Sequence, residues 1–312
     1  MRHKVSVIGA GNVGATCAQR IAGRGYADVV MVDIVEGLPQ GKALDMMESS
    51  PILDTDCVIT GSNDYQATSG SDVVIITSGL ARKPGMSRDE LVLANAEIVA
   101  GVTRNVTACS PDCVIIVATN PVDAMTHLAL EVSGFPASRV FGLSGLLDGA
   151  RLRSFIAAEL GVSVTDVSAC VMGEHGKNMV VVPRLCTAHG VPITELLSGE
   201  AIGRLVRRTV NGGAEIVELL KTGSAFYAPS AALARMAEAV ILDKKQVLYC
   251  AAGLQGEYGI KDTVIGVPVK LGKGGIEQVV TLPLDDEEKA QLAASAEAVS
   301  GLVRLMKEGR QD

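Results

Sequence analysis

Five short runs rich in Val and Ile punctuate the first half of the chain: Val5–Ile8, Val29–Val32, Cys57–Thr60, Val73–Thr77 and Val114–Ala118. Several are continuously apolar rather than alternating, as in parallel strands covered on both faces. Between them, Val13–Ala22, Gly41–Glu48 and Leu91–Ala108 carry apolar residues at helical spacing. Strand alternating with helix predicts an α/β arrangement, a doubly wound parallel sheet with right-handed crossovers. The pattern changes after about residue 145. Helical stretches at Leu147–Leu160, Ile202–Leu220, Ser230–Ile241 and Asp286–Met306 then surround Gln246–Ala251 and Val264–Lys270, which read as strands of an antiparallel sheet. The second half is therefore expected to be α+β. The spacing predicts two domains, over residues 1–145 and 146–312, and with no biased linker between them they should pack closely. The polar tail Lys307–Asp312 is expected to fray.

Composition sharpens this picture. Of 312 residues, 48% are apolar, yet there is no Trp and only four Phe and five Tyr, so the core must be aliphatic. The net charge of −7 argues against a nucleic-acid surface, where a basic stripe is expected. No apolar run approaches the roughly 20 residues of a membrane helix. Met1-Arg2-His3-Lys4 and the apolar residues after it faintly resemble a signal peptide, but three glycines and Asn12 interrupt the stretch as a strand and turn would. A cytoplasmic protein without a membrane or nucleic-acid partner is expected. The seven dispersed cysteines fit reduced thiols better than a disulfide framework. Cys109 and Cys113 flank a Ser-Pro-Asp turn with no matching Cys/His cluster, so no metal is expected.

Val5-Ser6-Val7-Ile8-Gly9-Ala10-Gly11-Asn12-Val13-Gly14 runs from a strand into a helix. In a dinucleotide fingerprint, Gly9 permits the tight turn, Gly11 lets main chain approach a pyrophosphate, and Gly14 lets helix and strand pack closely. The helix N-terminus then offers free N–H groups to phosphate. Asp33 ends the next strand, nineteen positions after Gly14, close to the fingerprint's spacing of about twenty. A carboxylate there accepts ribose hydroxyls and repels a 2′-phosphate, which favours NAD over NADP. The first domain is thus expected to be a Rossmann domain. A Gly-rich turn beside a surface Asp remains the bland alternative.

Two further groups of polar residues sit where ligands bind in open α/β sheets, at the carboxyl ends of strands, and two more candidates follow later in the chain. Gly79–Arg88 carries Arg82, Lys83 and Arg88 with two glycines and a proline. It suits a loop closing over an anion, and equally a solvated basic loop. Asn120 follows the Val114–Ala118 strand and precedes Pro121, where a plain turn residue is also common. Asp148 and Arg151 are three apart and share a helix face, which would also suit a surface salt bridge. His175, open between Gly173 and Gly176, is the best catalytic candidate of four histidines; His127 lies in a helical stretch.

GAGNVG at Gly9–Gly14, Asp33, GLARKPGMSR at Gly79–Arg88, ATNPVD at Ala118–Asp123, LDGARLR at Leu147–Arg153 and GEHG at Gly173–Gly176 occur in this order. Together they resemble the lactate/malate dehydrogenase superfamily, in particular its malate dehydrogenases of the lactate-dehydrogenase-like type. The resemblance covers nearly the whole chain. It implies NAD-dependent, reversible oxidation of (S)-malate to oxaloacetate, with His175 as proton acceptor and Asp148 as the carboxylate orienting it. It further implies Arg151 as the clamp on the C1 carboxylate, Arg88 as the arginine that polarises the carbonyl, and Arg82 as the residue meeting malate's second carboxylate. Gly9, Ala10, Gly11, Asn12, Val13, Gly14, Asp33, Asn95, Ala118, Thr119 and Asn120 are implied on the cofactor side, with Asn120 also near the reacting oxygen. A homotetramer or homodimer is implied. One departure is Gly149, where the family usually has Ser. Alternatives from the residues are a lactate dehydrogenase on the same scaffold and a non-enzymatic NAD-binding module. An NAD-dependent glycosidase would need a Cys/His metal cluster near His175, which the sequence lacks.

Overall fold

The computed structural model describes residues 2–80 and 87–309, with Arg88 described by its main chain alone. The first half runs β1 (His3–Ile8), α1 (Asn12–Gly23), β2 (Ala27–Val32), α2 (Leu38–Ser49), β3 (Ile59–Ser62), β4 (Val73–Ile76), α3 (Arg88–Cys109), β5 (Val114–Val117), α4 (Val122–Ser133) and β6 (Val140–Leu143). It continues with α5 (Gly145–Leu160), β7 (Val167–Ser168), β8 (Val171–Gly173), β9 (Met179–Val181), β10 (Thr187–Ala188), β11 (Val191–Pro192), α6 (Ile193–Leu196) and α7 (Gly199–Leu220). The last elements are α8 (Tyr227–Ile241), β12 (Gln246–Gln255), β13 (Lys261–Gly272), β14 (Gly275–Val279) and α9 (Asp286–Glu308).

The first six strands are parallel in the order β3-β2-β1-β4-β5-β6, the doubly wound arrangement that the apolar runs predict. Alternate residues serve opposite faces. Val7, Val29, Met31, Ile75 and Ile116 pack with α1, α5 and α8, whereas Ile8, Val30, Val32, Ile76, Ile115 and Val117 pack with α3, α4 and α9. Both faces are covered, which is why the central strands β4 and β5 are apolar at every position. The largest wholly buried side chains are Phe141 and a set of Ile, Leu and Met, an aliphatic core as the composition requires.

The sheet does not stop at the middle of the chain. β6 pairs antiparallel with β12 through Leu143–Cys250 and Gly142–Ala251, and β13, β8 and β9 extend the same sheet. Gly142 also lets α4 pack against β6 at this point, since a Cβ there would lie 2.2 Å from Thr126 Oγ1. Periodicity announces strands but not their neighbours, so this junction was not visible in the pattern. β3 lies two residues later than Cys57–Thr60. Val58 instead donates its N–H to the Asp28 side chain, and the ladder to β2 begins at Ile59. At the other end, α9 holds Lys307 and Glu308 in helix, with Lys307 Nζ 2.6 Å from Glu131 of α4.

Candidate active site

The carboxyl ends of β1, β2, β4 and β5 open on one edge of the sheet. After β1, Gly9 turns at φ +101° and donates its N–H to Val32 O at 2.7 Å. A Cβ on Gly14 would lie 1.9 Å from Gly9 O, so only glycine lets α1 start against this turn. Gly11 differs: a Cβ there would meet nothing within 4 Å among the described residues. Gly11 is also the N-cap of α1, and no side chain caps that helix. Its first N–H groups are left for a ligand, and the space over Gly11 lets an anion reach them. Asn12 and Val13 open the helix, and Val13 lines the neighbouring cleft.

Asp33 stands where the fingerprint requires. Its Oδ2 accepts from Ala10 N at 2.7 Å and its Oδ1 from Val35 N at 2.9 Å. Lys42 of α2, to which the sequence drew no attention, donates Nζ to Ala10 O at 2.7 Å. The glycine turn is thereby held on both sides of Ala10. These residues fit a dinucleotide: an open helix N-terminus, a turn without side chains, and a carboxylate at the end of β2.

The exits of β4 and β5 are laced together. Thr119 donates Oγ1 to Ser78 O at 2.6 Å. Asn95 of α3 accepts from Leu80 N at 2.7 Å and donates to Asn120 O at 2.8 Å. Asn95 is 1% exposed, so its amide is spent on the main chain of both loops. Ala118 and the exposed Asn120 face the cleft, and the Asn120-Pro121 peptide is cis. Arg82 lies outside the described residues. Arg88 is the first residue of α3, after Ser87, whose hydroxyl accepts from Glu90 N in a capping box.

His175, Asp148 and Arg151 come together. Asp148, on the first turn of α5 and 1% exposed, takes His175 Nδ1 at 2.6 Å on Oδ2 and Arg151 Nη1 at 2.7 Å on Oδ1. The surface-salt-bridge alternative for Asp148 and Arg151 therefore fails, because the carboxylate is buried and binds the imidazole as well. Burial alone would lower the His175 pKa. The charge and hydrogen bond of Asp148, followed by the charge of Asp123, outweigh it and leave the imidazole more basic than usual. With Nδ1 on Asp148, Nε2 is the nitrogen left for a ligand. Arg151 lies along α7, where a Cβ on Gly212 would come within 3.0 Å of its Cδ, and its buried Nε has no partner among the described residues. Gly149 sits in a roomy place, where a Cβ would lie 3.9 Å from Ala169 O, and both functional neighbours keep their contacts.

Two clefts flank His175. One of about 330 Å³ runs from Val13 past Asn120 and Arg151 to α7. The other, about 480 Å³, lies between Val92 of α3, Pro121 and Lys177. Asn120, His175 and Gly176 line both.

The loop carrying His175 is tied down by residues for which the sequence pattern suggested no role. Ser295 of α9 accepts from Glu174 N and donates to Asn178 O, both at 2.7 Å. Asp123 of α4 accepts from His175 N at 2.8 Å. Asp123 is 2% exposed, and burial pushes its pKa up to about 7. An acid between Val122 and Ala124 in an apolar helix start was a readable signal for Asp123; nothing local marks Ser295. Among the described residues there is no cluster of metal-ligating side chains, the cysteines are free thiols, and no helix is long and apolar enough to cross a membrane.

Comparison with known proteins agrees with this geometry. The family profile for the lactate/malate dehydrogenase NAD binding domain matches residues 3–142, and that for the lactate/malate dehydrogenase alpha/beta C-terminal domain matches residues 146–308. A malate dehydrogenase of Dehalococcoides mccartyi is 57% identical over 97% of this chain and 99% of its own. The solved structure of malate dehydrogenase from Salinibacter ruber superposes with a TM-score of 0.95 at 53% identity, covering 99% of each chain. A lactate dehydrogenase of Cryptosporidium parvum, solved with lactic acid and nicotinamide adenine dinucleotide, superposes with a TM-score of 0.95 at 39% identity, covering 98% of each chain.

Proposed function

We propose, for a chain that belongs to the lactate/malate dehydrogenase family, that it catalyses the reversible, NAD-linked oxidation of (S)-malate to oxaloacetate at His175. The observation that carries this reading is Asp148 bridging the imidazole and the Arg151 guanidinium at 2.6 and 2.7 Å beside the open N-terminus of α1. The Gly9–Gly14 turn and Asp33 would hold the dinucleotide, with Ala118, Thr119 and Asn120 along its nicotinamide end. Asn95 serves that end by pinning both loops. Bound there, NAD supplies the acceptor for the hydride leaving C2 of malate.

His175 Nε2 takes the hydroxyl proton of malate, and in the reverse direction the imidazolium returns it to the carbonyl oxygen. Asp148 fixes the tautomer and stabilises the imidazolium. The fork of Arg151 suits the C1 carboxylate in two-point fashion. Arg88 is assigned to the charge on the reacting oxygen and Arg82 to the second carboxylate. A cation at position 82 left without a partner over pyruvate's methyl group is costly, which disfavours lactate chemistry. The many malate dehydrogenases among its relatives support the same choice.

The division at residues 145 and 146, a cytoplasmic location and a homotetramer or homodimer belong to the same proposal. Exposed Leu44, Ile52 and Leu53 at and after α2 support self-association. The test is steady-state NADH oxidation with oxaloacetate and pyruvate side by side. Oxaloacetate should be strongly preferred, and Arg82→Gln should move preference toward pyruvate. Equal use of both substrates by the wild type would refute the dicarboxylate reading. His175→Asn should bind NADH and lose turnover.

A further inference from the structure

Two buried carboxylates beside His175, Asp123 and Glu174, have no part in the proposed reaction. Glu174 is engaged by the Asn178 amide. Asp123 is placed differently. It sits on the first turn of α4, with one oxygen on the His175 main-chain N–H and the other, Oδ1, buried with no hydrogen-bond partner among the described residues. A carboxylate in such a position is expensive, and an amide could accept the same hydrogen bond without that expense. What the acid adds, in its ionised form, is negative charge held 2.8 Å from the His175 main-chain N. It acts on His175 in the same sense as Asp148.

We propose that Asp123 is a positioning residue for the reaction: it fixes the His175 main chain against the start of α4, beside the Asn120-Pro121 turn, and stands as a second acidic group supporting the imidazolium. The proposal rests on His175 being the proton acceptor. Two helices then contribute one carboxylate each, Asp148 from α5 to the ring and Asp123 from α4 to the main chain. Among the described residues, the other charged groups acting here are Arg151 of α5, which opposes protonation of His175, and Glu174, which opposes ionisation of Asp123. From α9 comes the neutral Ser295, and from α3 the neutral Val92 and Asn95. Further along α4, His127 and Glu131 form a separate group with Lys307 of α9.

Because proton uptake by His175 is coupled to the charge on Asp123, removing that charge lowers the imidazole pKa. The neutral form, which malate oxidation requires, then persists to lower pH. Two variants separate charge from hydrogen bond. Asp123→Asn keeps an acceptor for His175 N–H and removes the charge; Asp123→Ala removes both. The primary readout is the titration of His175 in resting protein carrying ¹³C-labelled histidine, its resonance assigned by its loss in His175→Asn. The second is the pH profile of kcat/KM for malate oxidation.

In Asp123→Asn, the titration midpoint and the acid limb should both move down by about half a unit or more, with NADH binding by fluorescence essentially unchanged. In Asp123→Ala, kcat should fall about tenfold or more with a smaller change in KM, and Asp123→Asn should recover most of that loss. An unmoved midpoint in Asp123→Asn overturns the proposal alone. Wild-type turnover by His175→Asn overturns the reading of His175 itself, and the proposal with it.

Discussion

At the scale of single residues, the site is organised by carboxylates whose surroundings push them in opposite directions. Asp148 has a cation or donor on each oxygen, whereas Asp123 has one main-chain N–H and an empty side. The cost of Asp123 has a definite sign with pH. Its folded pKa of about 7 lies above the ordinary 3.8. The folded state therefore holds a proton more firmly than the unfolded chain, and stability falls as pH rises from about 4 to about 7. Asp123→Asn has no such penalty. It should melt at a higher temperature than the wild type at pH 8, reflecting a stability gain on the order of a few kcal/mol, and the gap should close toward pH 4. Thermal melts at the two pH values check this; equal melting temperatures at pH 8 would show that the buried charge is relieved by some other route. His175 runs the other way. As a base with a raised folded pKa, it contributes stability that is full below about 6.5 and is lost as pH rises through its folded value.

At the scale of elements, the two glycines of one turn do different work. Gly14 has its would-be Cβ 1.9 Å from Gly9 O, while Gly11 faces open space. Gly14→Ala must push α1 off β1 and should lower both the melting temperature and NADH affinity. Gly11→Ala should leave the melting temperature unchanged and weaken NADH binding about tenfold or more, because its methyl group meets only the ligand. Paired melting curves and fluorescence titrations test the contrast, and a stability loss in Gly11→Ala would contradict it. This difference was legible in the spacing, as were β1, β2, β4, β5 and the four long helices α5, α7, α8 and α9, because covered parallel strands and amphipathic helices each leave a period. Asp123 and Ser295 were not assigned roles. Their partners lie 52 and 121 positions away, at His175 N and Glu174 N, and no local period encodes such pairings. Asn95 was placed on the cofactor side by resemblance, but its neighbours held no hint that both ends of its amide bind main chain.

At the scale of the whole molecule, the two halves expected from the change in pattern share one sheet. β6 and β12 join it in the middle, and α8 from the second half packs on α1 from the first. Tyr26 OH donates to Ala234 O at 3.0 Å, Arg20 Nε to Ser230 Oγ at 3.2 Å, and Arg24 pairs with Glu238 at 3.1 Å. The site depends on this union. The glycine turn and Asn120 come from the first half, while Asp148, Arg151, His175 and Ser295 come from the second. The β6–β12 ladder and the α1–α8 contact fix the distance between them. Separating the halves would expose β6 as an edge and strip the buried Ala234, Ala237 and Ile241 face of α8 from its cover. Unfolding of one half therefore removes a large part of what stabilises the other. Calorimetry should show one endotherm, and the His175 segment and the glycine turn should lose protection from hydrogen exchange together as denaturant is raised. Two resolved transitions, with the segment around His175 opening while β1 and β4 stay protected, would mean that the shared sheet does not couple the halves, and that the cofactor and proton-transfer parts of the site are held together by the bound dinucleotide rather than by the fold.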